Sequence, residues 1–183
     1  YSPEENAELR AFWQEKKSRD QKAQQQRQEQ DRQRRLAEEQ AQEHAPKKVK
    51  AGQSRGGSIV VEALLNNKVK ASLVVDSGAG MVVVSKAIAA QLGVSVPESS
   101  KLAKKDETII QSVVADGRTV EAKLFTLESV QVQGAKAANV PAAVILVESG
   151  IQDVDGLLGM SFLNNFKFSL DAKEGVLTLE KTK

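Results

Sequence analysis

The feature that most constrains this chain is a change of character near residue 58. Before it, residues 1–50 hold almost no apolar side chains beyond Leu9, Phe12, Trp13 and Leu36, and Gln, Glu, Arg and Lys dominate. After it, Val, Leu, Ile and Ala recur in short runs punctuated by Gly, Asn-Asn and Asp-Gly. A segment so poor in apolar residues cannot bury a core, whereas about 125 residues patterned like the second part can. Three regions are therefore expected: a polar Gln/Glu/Arg-rich helical extension over 1–46, a basic Gly/Ser-containing flexible linker over 47–58, and a folded domain over 59–183.

The extension begins with helix-start chemistry. Ser2 suits the N-cap, Pro3 the first helical position, and Glu5 can close a capping box onto Ser2. No breaker follows until Pro46, so a helix of up to ~42 residues, ~60 Å long, is allowed. Leu9, Phe12 and Trp13 form one apolar stripe at i, i+3, i+4, but no heptad repeat continues it, which argues against a coiled coil. Two readings are open: a solvated helix, and a docking helix on which Leu9, Phe12 and Trp13 anchor a scaffold or regulatory protein.

The folded domain reads as mostly short strands. Ile59–Leu65 and Val69–Val75 flank Asn66-Asn67, and Thr108–Ala115 and Arg118–Leu127 flank Asp116-Gly117; both dipeptides favour tight hairpins. Met81–Ser85, Ser129–Val132, Ala142–Val147, Lys167–Ser169 and Val176–Leu179 are further candidate strands. Lys86–Leu92, closed by Gly93, and Ser161–Asn165 have short-helix character. Many strands with few helices argue a mainly β barrel or sandwich.

Composition then narrows the chemistry. There is no cysteine, and His44, in the polar extension, is the single histidine. Thiol nucleophiles, His-based zinc sites and Ser-His-Asp triads are thereby excluded from the domain, and no metal or other cofactor is expected. The net charge is +2. Residues 1–50 carry 12 Lys/Arg and 10 Asp/Glu, the rest 14 of each, so no concentrated basic face invites nucleic acid. Catalysis, if present, must run on carboxylates, hydroxyls, Lys or backbone groups.

The informative stretch is Leu73-Val74-Val75-Asp76-Ser77-Gly78-Ala79-Gly80-Met81-Val82-Val83-Val84-Ser85. An apolar strand runs directly into Asp76, then Ser77-Gly78-Ala79, then a second apolar strand. At the end of a buried strand a carboxylate is disfavoured unless hydrogen bonds compensate. Ser77 supplies a hydroxyl, and Gly78 lets the backbone turn closely around the acid. The alternative reading is a plain β-turn in which Asp76 accepts from its own backbone.

This stretch resembles the active-site loop of retropepsin-like aspartic proteases, hydrophobic–Asp–Thr/Ser–Gly–Ala. Asp155-Gly156-Leu157-Leu158-Gly159-Met160 is similar to the hydrophobic–hydrophobic–Gly element those enzymes carry ~80 residues later. Val113–Glu121, with Ala115, Asp116 and Gly117 at its turn, stands where they place a flap hairpin. The ending Phe166-Lys167-Phe168-Ser169-Leu170-Asp171, then Val176-Leu177-Thr178-Leu179, also resembles bacterial members and the domain of the eukaryotic DNA-damage-inducible proteases. The likeness spans roughly 58–181 and omits the extension. It implies a retropepsin-like closed β-barrel, one lobe per chain, with Asp76 catalytic, Ser77, Gly78 and Ala79 shaping the active-site loop, and Leu157, Leu158 and Gly159 supporting it. It also implies a polypeptide substrate gripped in extended form.

Aspartic proteolysis needs two carboxylates close enough to share a proton. The chain has one Asp-Ser-Gly, and neither Asp153 nor Asp155 is followed by Ser/Thr-Gly. The second acid must then come from a second copy, which an isologous homodimer supplies. Two departures from the family pattern stand out: Ser77 where Thr is frequent, and Gly80 where a polar residue is common. The second implies a softer loop and either weaker intrinsic activity than the retroviral enzymes show or activity that depends on a partner. The competing expectation is a catalytically inactive protein of the same fold, a peptide binder or an adaptor working through its N-terminal helix. A start at Tyr1 and the likeness to bacterial envelope members lead to the expectation of a periplasmic or membrane-tethered protein, with the cytoplasm as the alternative.

Overall fold

The computed structural model describes residues 3–50, 52–53, 58–97, 108–113, 117–146 and 153–182. They fall into two compact units, Tyr1–His44 and Ala45–Lys183.

The first unit is one helix, α1 (Pro3–His44, 42 residues). Ser2, the expected N-cap, lies outside the described residues. The helix is polar around nearly its whole circumference, and pairs such as Arg32–Glu29 and Arg34–Glu38, both 2.9 Å, link successive turns at the surface. Its apolar stripe is uncovered: Leu9, Phe12 and Trp13 are 57%, 53% and 56% exposed. The Phe12 and Trp13 rings meet edge to face at 5.8 Å, and the Lys16 ammonium lies 5.0 Å from the Trp13 ring centre.

The second unit carries eleven described strands and two short helices: β1 (Lys47–Lys50), β2 (Gly52–Gln53), β3 (Ile59–Leu65), β4 (Val69–Val75), β5 (Val82–Val84), α2 (Lys86–Gln91), β6 (Ile109–Val113), β7 (Thr119–Val132), β8 (Ala135–Ile145), β9 (Gly156–Leu158), α3 (Met160–Leu163), β10 (Phe166–Asp171) and β11 (Val176–Lys181). Local chemistry explains the turns. Asn66 and Asn67 take φ of 49° and 55°, the left-handed pair of a tight turn closed by Lys68 N–H donating to Leu65 O at 3.0 Å, so that three residues join β3 to β4. The Ser85 side chain caps α2 by accepting from the Ile88 amide. Gly93, at φ 78°, ends it, with Gly93 N–H donating to Ala90 O and Val94 N–H to Ala89 O.

Six strands close on themselves in the order β3-β4-β9-β5-β8-β7, the seam being Leu64↔Gln131 and Leu65↔Val130 between β3 and β7. The β4–β9 and β5–β8 pairs are parallel and the other neighbours antiparallel. Alternation fills the barrel: Val61, Ala63 and Leu65 from β3, Ala71, Leu73 and Val75 from β4, Val82 and Val84 from β5, and Leu158 from β9 all point into one core. This is the expected mainly β closed barrel with a helical extension.

A second sheet, β1-β11-β10, covers one side of that core through Val49, Leu177 and Leu179. It corrects the expected linker. Lys47–Lys50 is a strand paired with Val176–Leu179, and Gly52–Gln53 pairs with Ile59–Val60. The alternation Lys48-Val49-Lys50 is the cause: it lets Val49 turn inward, 1% exposed, where burial of a valine side chain contributes about 2 kcal/mol. Residues 51 and 54–57 of the same stretch lie outside the described residues. Two further boundaries differ. β7 runs unbroken through Glu128, and β8 starts at Ala135, after a turn at Gln133 and Gly134 (φ 40° and 85°).

Candidate active site

Asp76 is the first residue beyond β4. Its amide donates to the Leu158 carbonyl at 3.2 Å, which ties the strand exit to β9. The chain then folds back: Ala79 N–H donates to Asp76 O at 3.2 Å, and Gly78 N–H to the Asp76 carboxylate Oδ1 at 2.8 Å. The carboxylate is half-buried, while Ser77 and Gly78 are exposed. A Cβ on Gly78 would lie 3.1 Å from Oδ1, so the turn is tight against the acid. An ordinary turn would make the same local bond; the surroundings of the loop set it apart.

The first of these is the segment beneath it. β9 inserts between β4 and β5, with Val75↔Leu158 on one side and Val83↔Leu157 on the other. Leu158 is buried in the core. Gly159 is pressed so closely under the loop that a Cβ would overlap the carbonyl oxygens of Met81 and Ala79. Gly156 is pressed in the same way against the Val83 carbonyl. The start of α3 then grips the loop's far side: Met160 N–H donates to Ala79 O at 2.8 Å and Ser161 N–H to Gly80 O at 3.1 Å. Gly80, which offers no side-chain bond, is thus held through its carbonyl.

The second is a face that the sequence did not announce. Val74 lies beside Leu157, Leu157 beside Val83, Val83 beside Ala143, and Ala143 beside Leu124. By the two-residue period these side chains stand on the side of the sheet opposite Leu73, Val75, Val84 and Leu158. Val74, Val83, Leu124 and Leu157 are half-buried rather than buried. A row of apolar side chains therefore flanks the strand end that carries Asp76. Alternation within a continuous Val/Leu run is invisible in sequence, because both faces are apolar; only the register separates them.

Asp155 is a structural acid. Its carboxylate Oδ2 accepts the Ser72 amide at 2.8 Å. Asp153 takes φ 68° ahead of β9. Among the described residues no group of three or more His, Asp or Glu could hold a metal ion, and no helix is long and apolar enough to cross a membrane. For the expected flap, Ala115 and Asp116 lie outside the described residues. The strands leading to them, β6 and β7, pair antiparallel up to Val113↔Thr119, and Gly117 takes φ 84°.

A closed six-stranded barrel that delivers one Asp-Ser-Gly turn at a strand end, braced by a Leu-Leu-Gly strand, is the fold of a single-lobed, retropepsin-like aspartic protease. Comparison with known proteins agrees. The sequence pattern of the family described as gag-polyprotein putative aspartyl protease matches residues 61–165, more than half of the chain, and the chain belongs to that family. A retropepsin-like aspartic protease from Rickettsia conorii is 29% identical, with a TM-score of 0.54 over 74% of this chain and 98% of that one. The retroviral protease-like domain of Ddi1 from Leishmania major is 21% identical, TM-score 0.45, over 67% of this chain and 87% of that one. The EIAV protease, solved with the inhibitor HBY-793, is 16% identical, TM-score 0.40, over 58% and 86%. No curated protein sequence matches the chain.

Proposed function

We propose that the chain is an aspartic endopeptidase active as a homodimer, in which Asp76 of each copy supplies one of two catalytic carboxylates. The observation that carries this is the placement of a single half-exposed Asp-Ser-Gly acid on a rigid strand end, with Asp155 committed to the Ser72 amide. A two-fold axis beside the loop brings Asp76 against its twin. Two like charges at that range do not both ionise, so the pair holds one proton. The ionised member takes a proton from water as the oxygen attacks the scissile carbonyl carbon, and the protonated member donates to the carbonyl oxygen. Transfer of a proton to the amide nitrogen then lets the C–N bond break. Ser77 of each copy would hold the paired loops, and the hairpin around Ala115, Asp116 and Gly117 would close over the peptide.

The row Val74, Leu157, Val83 supports an apolar wall for an extended substrate beside the acids. Leu157→Asp is expected to raise KM for an apolar peptide by ten-fold or more (about 1.4 kcal/mol or above), with a smaller change in kcat. Steady-state kinetics on the purified variant checks it; an unchanged KM removes Leu157 from the wall. The general test of the proposal exposes a protein mixture to wild type and to Asp76→Asn between about pH 4 and 7. New peptide termini are identified by mass spectrometry. Identical cleavage by both proteins would refute the enzyme.

The exposed Leu9, Phe12 and Trp13 support α1 as a docking helix for a scaffold or regulatory protein. Phe12→Ala with Trp13→Ala is then expected to weaken cleavage of the natural protein substrate while short-peptide turnover stays within about twofold. Equal rates on both substrates would remove that role.

A further inference from the structure

We infer that Asp155 and Ser161 are positioning residues: their side chains form a bracket that fixes the middle of β4 and the start of β5, the two strands that carry the Asp76 loop, an inference that rests on the proposed protease function. The loop leaves β4 and enters β5, and the segment 155–161 runs under both. At the entry, Asp155 clasps β4 twice. Its carboxylate Oδ2 accepts the Ser72 amide and its own amide donates to the Ser72 carbonyl, each at 2.8 Å. Its carbonyl meanwhile accepts the Ser85 amide at 2.7 Å, just beyond β5.

At the exit, the Ser161 hydroxyl accepts the Val82 amide at 2.9 Å, on the first residue of β5, and donates to the Pro141 carbonyl of β8 at 2.7 Å. The Ser161 amide holds Gly80 O at 3.1 Å. No other described hydrogen bond between a side chain and the backbone of β4 or β5 is this far from local: Asp155 and Ser72 are 83 residues apart, Ser161 and Val82 79. Strand pairing alone would keep the barrel closed. What these two side chains add is the height and angle at which Asp76 is presented, and a catalytic acid displaced by a fraction of an ångström loses rate before it loses binding.

The test uses the full chain. Asp155→Ala and Ser161→Ala are compared with Asp155→Asn and Ser161→Thr, which retain an acceptor oxygen. On protein shown by thermal melting to be folded, the bracket predicts kcat lowered about tenfold in each alanine variant, KM within about twofold of wild type, and most of the loss restored by Asn or Thr. Wild-type kcat in the folded alanine variants overturns it, as does a loss that Asn and Thr leave in place. Amide hydrogen exchange on the unmodified chain gives a readout that needs neither activity nor a folded variant: Ser72 and Val82 should exchange as slowly as Ala63 in β3. Fast exchange at either overturns the bracket. Absence of Asp76-dependent cleavage by wild type would instead sink the protease reading, with the exchange result standing apart from it.

Discussion

Asp76→Asn is expected to lower kcat by about 10³-fold or more while leaving the fold and peptide binding intact. The structure says why the two effects separate. An asparagine Oδ1 still accepts the Gly78 amide, so the turn that Asp76 closes at 2.8 Å survives. What is lost is a group that can take and return a proton. The stoichiometry can be read from the same variant. When wild type and Asp76→Asn exchange subunits freely at equal concentration, about a quarter of the dimers carry two acids, so activity should fall to about a quarter of that of an all-wild-type sample at the same total chain concentration. A chain working alone would keep about half. Residual activity near one half would therefore remove the shared site, even if the variant itself were dead.

The second large effect is expected at Gly159. Its backbone, at φ −95° and ψ −172°, is open to any residue, so the requirement for glycine is purely steric. A single methyl would overlap the carbonyl oxygens of Ala79 and Met81, and the first of these already accepts the Met160 amide. Neither oxygen is the end of a flexible side chain; both belong to the loop that follows Asp76. Gly159→Ala is expected to cost about 3 kcal/mol of stability and to reduce kcat more than tenfold in the molecules that fold. Gly80→Ala is the control, since a Cβ there meets nothing within 4 Å, and its unfolding midpoint should match wild type. Coincident denaturation curves for the two variants would show that Gly159 does not press on the loop.

How much of this was legible beforehand depends on what each residue had to reveal. The β3–β4 hairpin was readable residue by residue, because Asn66-Asn67 and the flanking runs state both turn and strands. Asp76 and the Leu157-Leu158-Gly159 element stood out for the same reason: an acid or a glycine at the end of an apolar run is chemically conspicuous. The first half of β8 was missed since Ala135–Pro141 is rich in Ala and contains a proline, both poor strand signals. Pro141, which has no N–H to give the ladder, lies opposite Thr126, and its carbonyl accepts from the Ser161 hydroxyl. β1 was hidden by its lysines, which lengthened what looked like a linker, and only the partner strand reveals that Val49 has somewhere to go. The apolar row beside Asp76 and the Asp155–Ser72 bond are long-range facts, fixed by register and not by neighbours in sequence.

The pairing of β1 with β11 joins residues about 130 positions apart, Lys47 against Leu179. A ribosome must therefore have delivered residues 176–181 before the small sheet can exist, and until then Val49 has no strand to lie against. Assembly of the small sheet therefore waits for β11, and a chain terminated before it carries Asp76 on a barrel whose core lacks the cover of Leu177 and Leu179.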